Sequence, residues 1–237
     1  MTGRLEDATA VILAGGLGTR LRPAVGDRPK VLADVDGRPF LTYLLRQLTD
    51  AGVRSIVLCV GHRAVYVRAV LGEAYGGTPL VYAVETDLLG TGGALRAALP
   101  ALRSDPVLVL NGDSHCEAHL AALWAAHAEQ DASATLVVTH VSDTRRFGRV
   151  SLDDDDGITR FCEKTESDGP GWINAGIYVL SRHVLTAIPS GRPVSLEHDV
   201  FPALVGRGLF GHRMTGRFVD IGTPESYRAA QAAGVGR

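Results

Sequence analysis

Several common marks of activity are scarce or missing in this chain. Of its 237 residues only Cys59, Cys116 and Cys162 carry a thiol. They lie far apart and form no CxxC pair, which excludes a disulfide framework or a zinc ribbon and fits reduced, packed cysteines. There is no basic excess. Lys+Arg number 24 and Asp+Glu 26, a formal net charge of -2, which argues against a non-specific nucleic-acid binder. No apolar run approaches the roughly 20 residues of a membrane span. Met1 to Asp7, with Glu6 and Asp7, has no apolar signal region. The expectation is a cytoplasmic protein without a membrane partner. Two familiar phosphate loops are missing as well. A P-loop needs Gly-Lys-Ser/Thr after four spacer residues, and a dinucleotide loop needs glycine where Leu21 stands. His115 and His119 are four apart, but His-Cys-Glu-Ala-His is not a zinc-protease string. Both read as helix-entry or surface histidines, with a pocket-lining place left open for His115.

What is present is a strong opening element. Val11-Ile12-Leu13-Ala14 reads as a buried strand that stops at Gly15-Gly16-Leu17-Gly18, followed by Thr19-Arg20-Leu21-Arg22-Pro23 and Pro29-Lys30. Glycines let a backbone turn sharply or approach a ligand, and Arg20, Arg22 and Lys30 are fixed donors for oxyanions. Exposed N–H groups beside cations suit a polyphosphate, although a plain turn with solvated arginines would use the same residues.

Downstream, helical spacing at 40–51, 64–74, 91–99 and 120–130 alternates with strands at 55–60, 80–84 and 107–110. This pattern predicts an α/β fold with a Rossmann-like, mostly parallel central sheet flanked by helices. Strands at 134–139, 150–152, 158–161, 173–180 and 210–214 make the second half mixed. Helices are expected at 194–204, capped by Ser195, and at 224–233, capped by Thr223 with Pro224 in the first turn. Asp153 to Gly157 lacks calcium-loop spacing and reads as a solvated hairpin turn. With no linker or repeat, residues 1–237 are expected to form one domain, and 46% hydrophobic residues suffice for a sizeable core.

Asn111-Gly112-Asp113 ends a buried strand, where open α/β sheets place ligands. Asp113 offers a hard oxygen ligand to Mg²⁺, or the segment is a simple turn. Asp220, in Phe218-Val219-Asp220-Ile221-Gly222-Thr223, lies between a strand-like segment and a helix start. Leu89-Gly90-Thr91-Gly92-Gly93-Ala94 puts small residues and N–H donors at a helix start, or serves as a tight strand–helix turn. Glu163-Lys164 is by itself an ordinary ion-pair dipeptide.

Together, and in this order, the strings resemble the sugar-1-phosphate nucleotidyltransferases, the sugar-nucleotide pyrophosphorylases. The likeness covers about Ala8 to Gln231. It implies that Ala14, Gly15, Gly16, Gly18 and Thr19 wrap a nucleoside triphosphate, with Arg20 and Lys30 on its phosphates. By the same likeness Gly90 and Thr91 meet the base, and Asn111 belongs to the nucleotide site. Asp113 and Asp220 would hold Mg²⁺. Gly148, after Phe147, and Asn174, in Ile-Asn-Ala-Gly-Ile-Tyr, would meet the sugar. Glu163 would hold sugar hydroxyls and Lys164 the sugar phosphate. The family's Glu-Lys-Pro has Thr165 here in place of proline.

The resemblance implies transfer of a nucleoside monophosphate to a sugar 1-phosphate with release of pyrophosphate. Catalysis would rest on positioning and charge neutralisation, with Arg20, Lys30 and Lys164 as the catalytic cations. The short form, without the added β-helical domain of longer relatives, looks most like the D-glycero-α-D-manno-heptose 1-phosphate guanylyltransferases, which implies GTP as donor. Mannose-1-phosphate guanylyltransferases are the nearest rival, ahead of a uridylyltransferase for another sugar. A catalytically silent sensor on the same scaffold is the contrasting class; the joint presence of Lys30, Asp113, Lys164 and Asp220 speaks against it. Assembly into a homo-oligomer is left open by the sequence.

Overall fold

The computed structural model describes residues 3–61, 63–162 and 169–235. The first strand, β1 (Thr9–Leu13), is buried almost throughout because it has parallel neighbours on both sides. Those neighbours are β2 (Ser55–Val60) and β4 (Val107–Asn111), and β3 (Thr78–Val84) extends the sheet beyond β2. Helices α1 (Leu41–Asp50), α2 (Ala64–Leu71) and α3 (Gly90–Ala98) fill the crossovers. Next come β5 (Ser114–Cys116), α4 (Leu120–Glu129), β6 (Ala134–Val141), β7 (Arg149–Leu152), β8 (Ile158–Cys162) and β9 (Gly171–Leu180). The chain closes with α5 (Arg182–Ala187), β10 (Leu209–Met214), β11 (Phe218–Asp220) and α6 (Pro224–Ala233).

The main sheet runs β8–β7–β9–β4–β1–β2–β3, with β6 paired to β9 and β10 to β6. It is parallel from β4 to β3, while β9 runs antiparallel to both β4 and β6. This is the Rossmann-like, mostly parallel arrangement read from the sequence. Alternation along β1 divides the core between the two faces. Ala10 and Ile12 pack with Leu41, Leu44, Leu45 and Trp124 on one side, whereas Val11 packs with Ala94, Leu95, Leu185 and Phe201 on the other. Truncating a fully buried member such as Leu45 to alanine would cost about 2–5 kcal/mol.

A third, smaller cluster joins Leu21, Val35, Phe40 and Tyr43 to Val219, Ile221 and Tyr227. It packs the last helix and β11 against the chain just after the glycine loop. Thr223 caps α6 in a capping box with Ser226, and Pro224 stands in its first turn. Asp153 Oδ1 accepts from the N–H groups of Asp155 and Gly157, making the expected solvated turn between β7 and β8.

Some elements were not foreseen. The expected 194–204 helix begins as a π turn, Leu196–Val200, before continuing as Phe201–Leu204. The six-residue α5, the hairpin of Asp34–Val35 with Arg38–Pro39, and the β5–β11 pair are too short to show a period. No helix among the described residues is long and apolar enough to cross a membrane.

The histidine reading needs a correction. His119 does cap α4, its Nδ1 accepting from Ala122 N, but His115 is buried in β5 and does not line the cleft. The strand turns its ring inward. Burial lowers the pKa of His115 to about 4, and likewise that of His127, which lies between Thr135 Oγ1 and Ser181 Oγ. Between pH 6.5 and 4 the unfolded chain therefore binds more protons than the native one, so stability falls as pH drops through this window. The loss is on the order of 3 kcal/mol per histidine. Denaturant midpoints measured from pH 7 to 4 should fall more steeply in the parent than in His127→Gln; equal slopes would exclude His127 as a source.

Candidate active site

The chain leaves β1 toward β2 on one side and later returns to β4 on the other. Such a reversal of strand order opens a crevice at the carboxyl ends of the strands. A cleft of about 990 Å³ lies there, lined by the loops after β1 and β4, the start of α3, Arg145 to Gly148, Asn174 and Asp220. Ala14, Gly15, Gly16, Gly18, Thr19, Arg20 and Lys30 form one wall; Gly90, Thr91, Asn111, Asp113, Gly148 and Asn174 form others. Glu163 and Lys164 lie outside the described residues.

The glycine loop is held at its base by Ala14 N donating to Cys59 O, and Gly112 N donates to Leu13 O from the adjacent strand end. Gly18 adopts φ +63°, where a side chain is disfavoured, and lies against Lys30. Lys30, only 10% exposed, reaches Asp113 Oδ2 at 2.5 Å. A polar wall faces this loop: a Cβ at Gly15 would stand 2.6 Å from Glu85 Oε1. Half-buried Glu85 has its pKa raised by desolvation, partly opposed by a hydrogen bond from the Leu89 backbone.

The two aspartates meet through the β5–β11 ladder. Ile221 N donates to Asp113 O, and Asp220 is the register partner of Ser114. Asp220 Oδ1 pairs with Arg146 at 2.6 Å, and its Oδ2 accepts from Gly222 N. Each carboxylate thus has a cation against it, Lys30 at Asp113 and Arg146 at Asp220. Among the described residues no group of three or more His, Cys, Asp or Glu is placed to hold a metal. Two hard carboxylates match Mg²⁺, which takes its remaining ligands from phosphates and water.

On another wall, Asn174 N donates to Gly148 O, so two separately noted residues share one backbone link. The rings of Phe147 and Phe218 pack edge to face at 5.3 Å beside them. Cys162, the last described residue before Glu163, is the register partner of Arg149, next to Gly148.

The start of α3 is arranged for packing. Gly92 N and Gly93 N both donate to Val194 O. Gly90 has φ +69°, and a Cβ there would meet Val194 O at 2.6 Å, so a substitution would disturb this contact before it touched a base. Thr91 Oγ1 donates to Glu197 Oε2 and accepts from Leu196 N. Glu197, Ser195 and Arg146 also line the cleft. The sequence gives Ser195 only a capping role and Glu197 none, since nothing local shows that the π turn folds back onto α3.

The nucleotidyl transferase family profile matches residues 9–234, and the chain belongs to that family. It is 40% identical over 222 residues to a mannose-1-phosphate guanylyltransferase of Mycobacterium tuberculosis, covering 92% of this chain and 62% of that protein. It is 31% identical over 223 residues to a D-glycero-alpha-D-manno-heptose 1-phosphate guanylyltransferase of Aneurinibacillus thermoaerophilus, covering 94% of this chain and 96% of that one. The fold matches that of HddC from Yersinia pseudotuberculosis complexed with GMP-PN, with TM-score 0.82 and 32% identity over 95% of this chain and 99% of that one. The chain spans only about 60% of the length of the mannose-1-phosphate relatives.

Proposed function

We propose that this chain transfers GMP from GTP to a manno-configured sugar 1-phosphate, releasing pyrophosphate. The observation that carries the reading is one cleft holding a cationic glycine loop, a facing carboxylate pair and a polar wall formed by Gly148 and Asn174. In this reading Arg20 and Lys30 neutralise the triphosphate. An oxygen of the sugar phosphate attacks the α-phosphorus in line, its new P–O bond forming as the α–β bridging bond breaks. Asp113 and Asp220 would hold Mg²⁺, which when bound supplies positive charge to the phosphates. Lys164 would align the attacking phosphate. The protein's share is positioning and electrostatics.

Glu85 supports guanine. Its carboxylate only accepts, and guanine offers N1–H and the 2-amino group side by side. Uracil and thymine put one N–H between two carbonyl oxygens, which a carboxylate repels. For the acceptor, the similarity to a D-glycero-alpha-D-manno-heptose 1-phosphate guanylyltransferase supports the heptose 1-phosphate. Mannose 1-phosphate is the second reading, favoured by the 40% identity.

The test is pyrophosphate release from the four NTPs and dTTP against mannose, heptose and glucose 1-phosphates. GTP with a manno-configured acceptor should give the highest kcat/KM. A higher value with UTP or dTTP refutes the guanylyl assignment, and binding without turnover would mark a sensor. Glu85→Gln should lower kcat/KM for GTP by roughly 10–100-fold, the worth of a charged hydrogen bond, while narrowing the gap to UTP. An unchanged GTP preference would remove Glu85 from base selection.

A further inference from the structure

The polar chain that runs from the cleft wall to buried Tyr178 has a fixed hydrogen-bond direction, which can be traced from the backbone outward. N–H groups only donate. Leu196 N donates to Thr91 Oγ1, and Glu197 N and His198 N donate to Ser195 Oγ. Both hydroxyls must then send their own protons elsewhere, and both point at Glu197 Oε2, at 2.7 and 2.9 Å. Glu197 is therefore the acceptor of the chain. Its Oε1 faces the hydroxyl of Tyr178 at 3.5 Å, a long contact to a fully buried side chain. Tyr178 has one proton to give and two lone pairs to fill. With the proton directed at Glu197, the lone pairs take Nδ2 of Asn111 at 3.0 Å and Nδ2 of Asn174 at 2.9 Å.

This orders both cleft amides. Asn174 Oδ1 accepts from Gly176 N, so that amide is held at both ends. Asn111 has its NH₂ on Tyr178, and its buried Oδ1 has no partner among the described residues. A buried acceptor left unmade is costly, and Asn111 lines the cleft.

We propose that Glu197 and Tyr178 are positioning residues that set the polarity of the sugar site: they turn Asn111 so that its Oδ1 accepts from a hydroxyl of the acceptor sugar. Rejection of sugars lacking a donor at that carbon follows from the direction of the chain. This rests on the sugar-1-phosphate reading above. It moves Asn111 from the nucleotide side, where the family resemblance put it, to the sugar side.

Glu197→Gln reverses the direction without removing bulk. Its carboxamide oxygen keeps the Thr91 and Ser195 protons, so its NH₂ faces Tyr178. The tyrosine proton must then go to an asparagine oxygen. Asn174 Oδ1 is already held by Gly176, so Asn111 turns over and presents NH₂ to the ligand. Tyr178→Phe instead removes the shared partner of both amides.

The experiment measures kcat/KM with GTP and mannose 1-phosphate or its monodeoxy and monodeoxyfluoro analogues. The parent, Tyr178→Phe and Glu197→Gln are compared, with melting temperatures confirming that each variant is folded. The parent should disfavour the deoxy and fluoro analogues at one ring position by about tenfold or more. Glu197→Gln should shrink the fluoro penalty at that position to within about twofold, because fluorine accepts from NH₂. Tyr178→Phe should lower kcat/KM for the sugar phosphate about tenfold with the KM for GTP held within about twofold. Equal damage to GTP use, or a fluoro penalty that survives Glu197→Gln, overturns the proposal. So does sensitivity to 2′- or 3′-deoxy-GTP that Glu197→Gln relieves, which would return Asn111 to the ribose. Side-chain amide NMR separates this proposal from the proposed function. The Asn111 and Asn174 NH₂ signals should be protected from exchange in the parent and lose protection in Tyr178→Phe. If the parent uses no sugar 1-phosphate, the function falls and the sugar-polarity proposal falls with it. If the amides are unchanged in Tyr178→Phe, the relay alone falls.

Discussion

Asp113→Asn and Asp220→Asn should each lower kcat by about 10²–10³-fold, the range seen when one preorganised electrostatic contact to a reacting centre is lost. The substitution keeps size and shape and removes the charge. Asp220 pairs with a half-exposed arginine, so Asp220→Asn should change melting little, whereas Asp113→Asn leaves nearly buried Lys30 without its counter-charge and should lower it. The geometry adds a readout besides turnover. Lys30 and Arg146 each face one of these carboxylates. Removing a carboxylate frees its cation for phosphate, so metal-free GTP binding should be as strong as in the parent or stronger. The gain from adding Mg²⁺ should shrink. Calorimetry with and without Mg²⁺ measures both effects. Full turnover of either variant in EDTA would end the two-carboxylate proposal.

Lys164→Ala and Arg20→Ala should separate the two phosphate sites. Arg20 is exposed on the glycine loop and lines the cleft there, the end proposed for the triphosphate. In the proposed reading Lys164 serves the sugar phosphate; the last described residue before it, Cys162, pairs with Arg149 beside Gly148. A lysine is a compact point charge, and losing one charged contact costs about 1.5–3 kcal/mol, roughly ten- to a hundredfold. Lys164→Ala should lower kcat/KM for the sugar phosphate by that factor, and kcat as well if the lysine orients the attacking oxygen, with GTP binding unchanged. Arg20→Ala should chiefly impair GTP use. Equal loss of GTP affinity in both variants would assign Lys164 to the triphosphate.

Much of the architecture was legible because its causes are local. A strand buried on both faces must be apolar throughout, and Val11 to Leu13, Ile56 to Val60 and Val107 to Leu110 are. Amphipathic helices between them leave a parallel sheet as the way to bury both layers. The glycine loop and Asn111-Gly112-Asp113 could be placed at strand ends for the same reason. The α6 cap was visible in Thr223-Pro224 alone.

The histidines show the limit. His115 and His119 share a local pattern, yet one is buried in a three-residue strand and the other caps a helix. A strand that short has no period, and its burial is set by its partner β11, about a hundred residues later in the chain.

The sequence by itself determined the alternation of strands and helices, the strand-end loops and the residue types able to handle phosphate. Each depends on side chains within a few positions of one another. Only the tertiary structure decided that Asp113 meets Asp220, that Lys30 and Arg146 face them, and that Glu85 stands over Gly15. It also decided that Glu197 reaches Asn111 through Tyr178. Those contacts join separate segments, and sheet order, the packing of β11 under α6 and the π turn folded onto α3 bring them together.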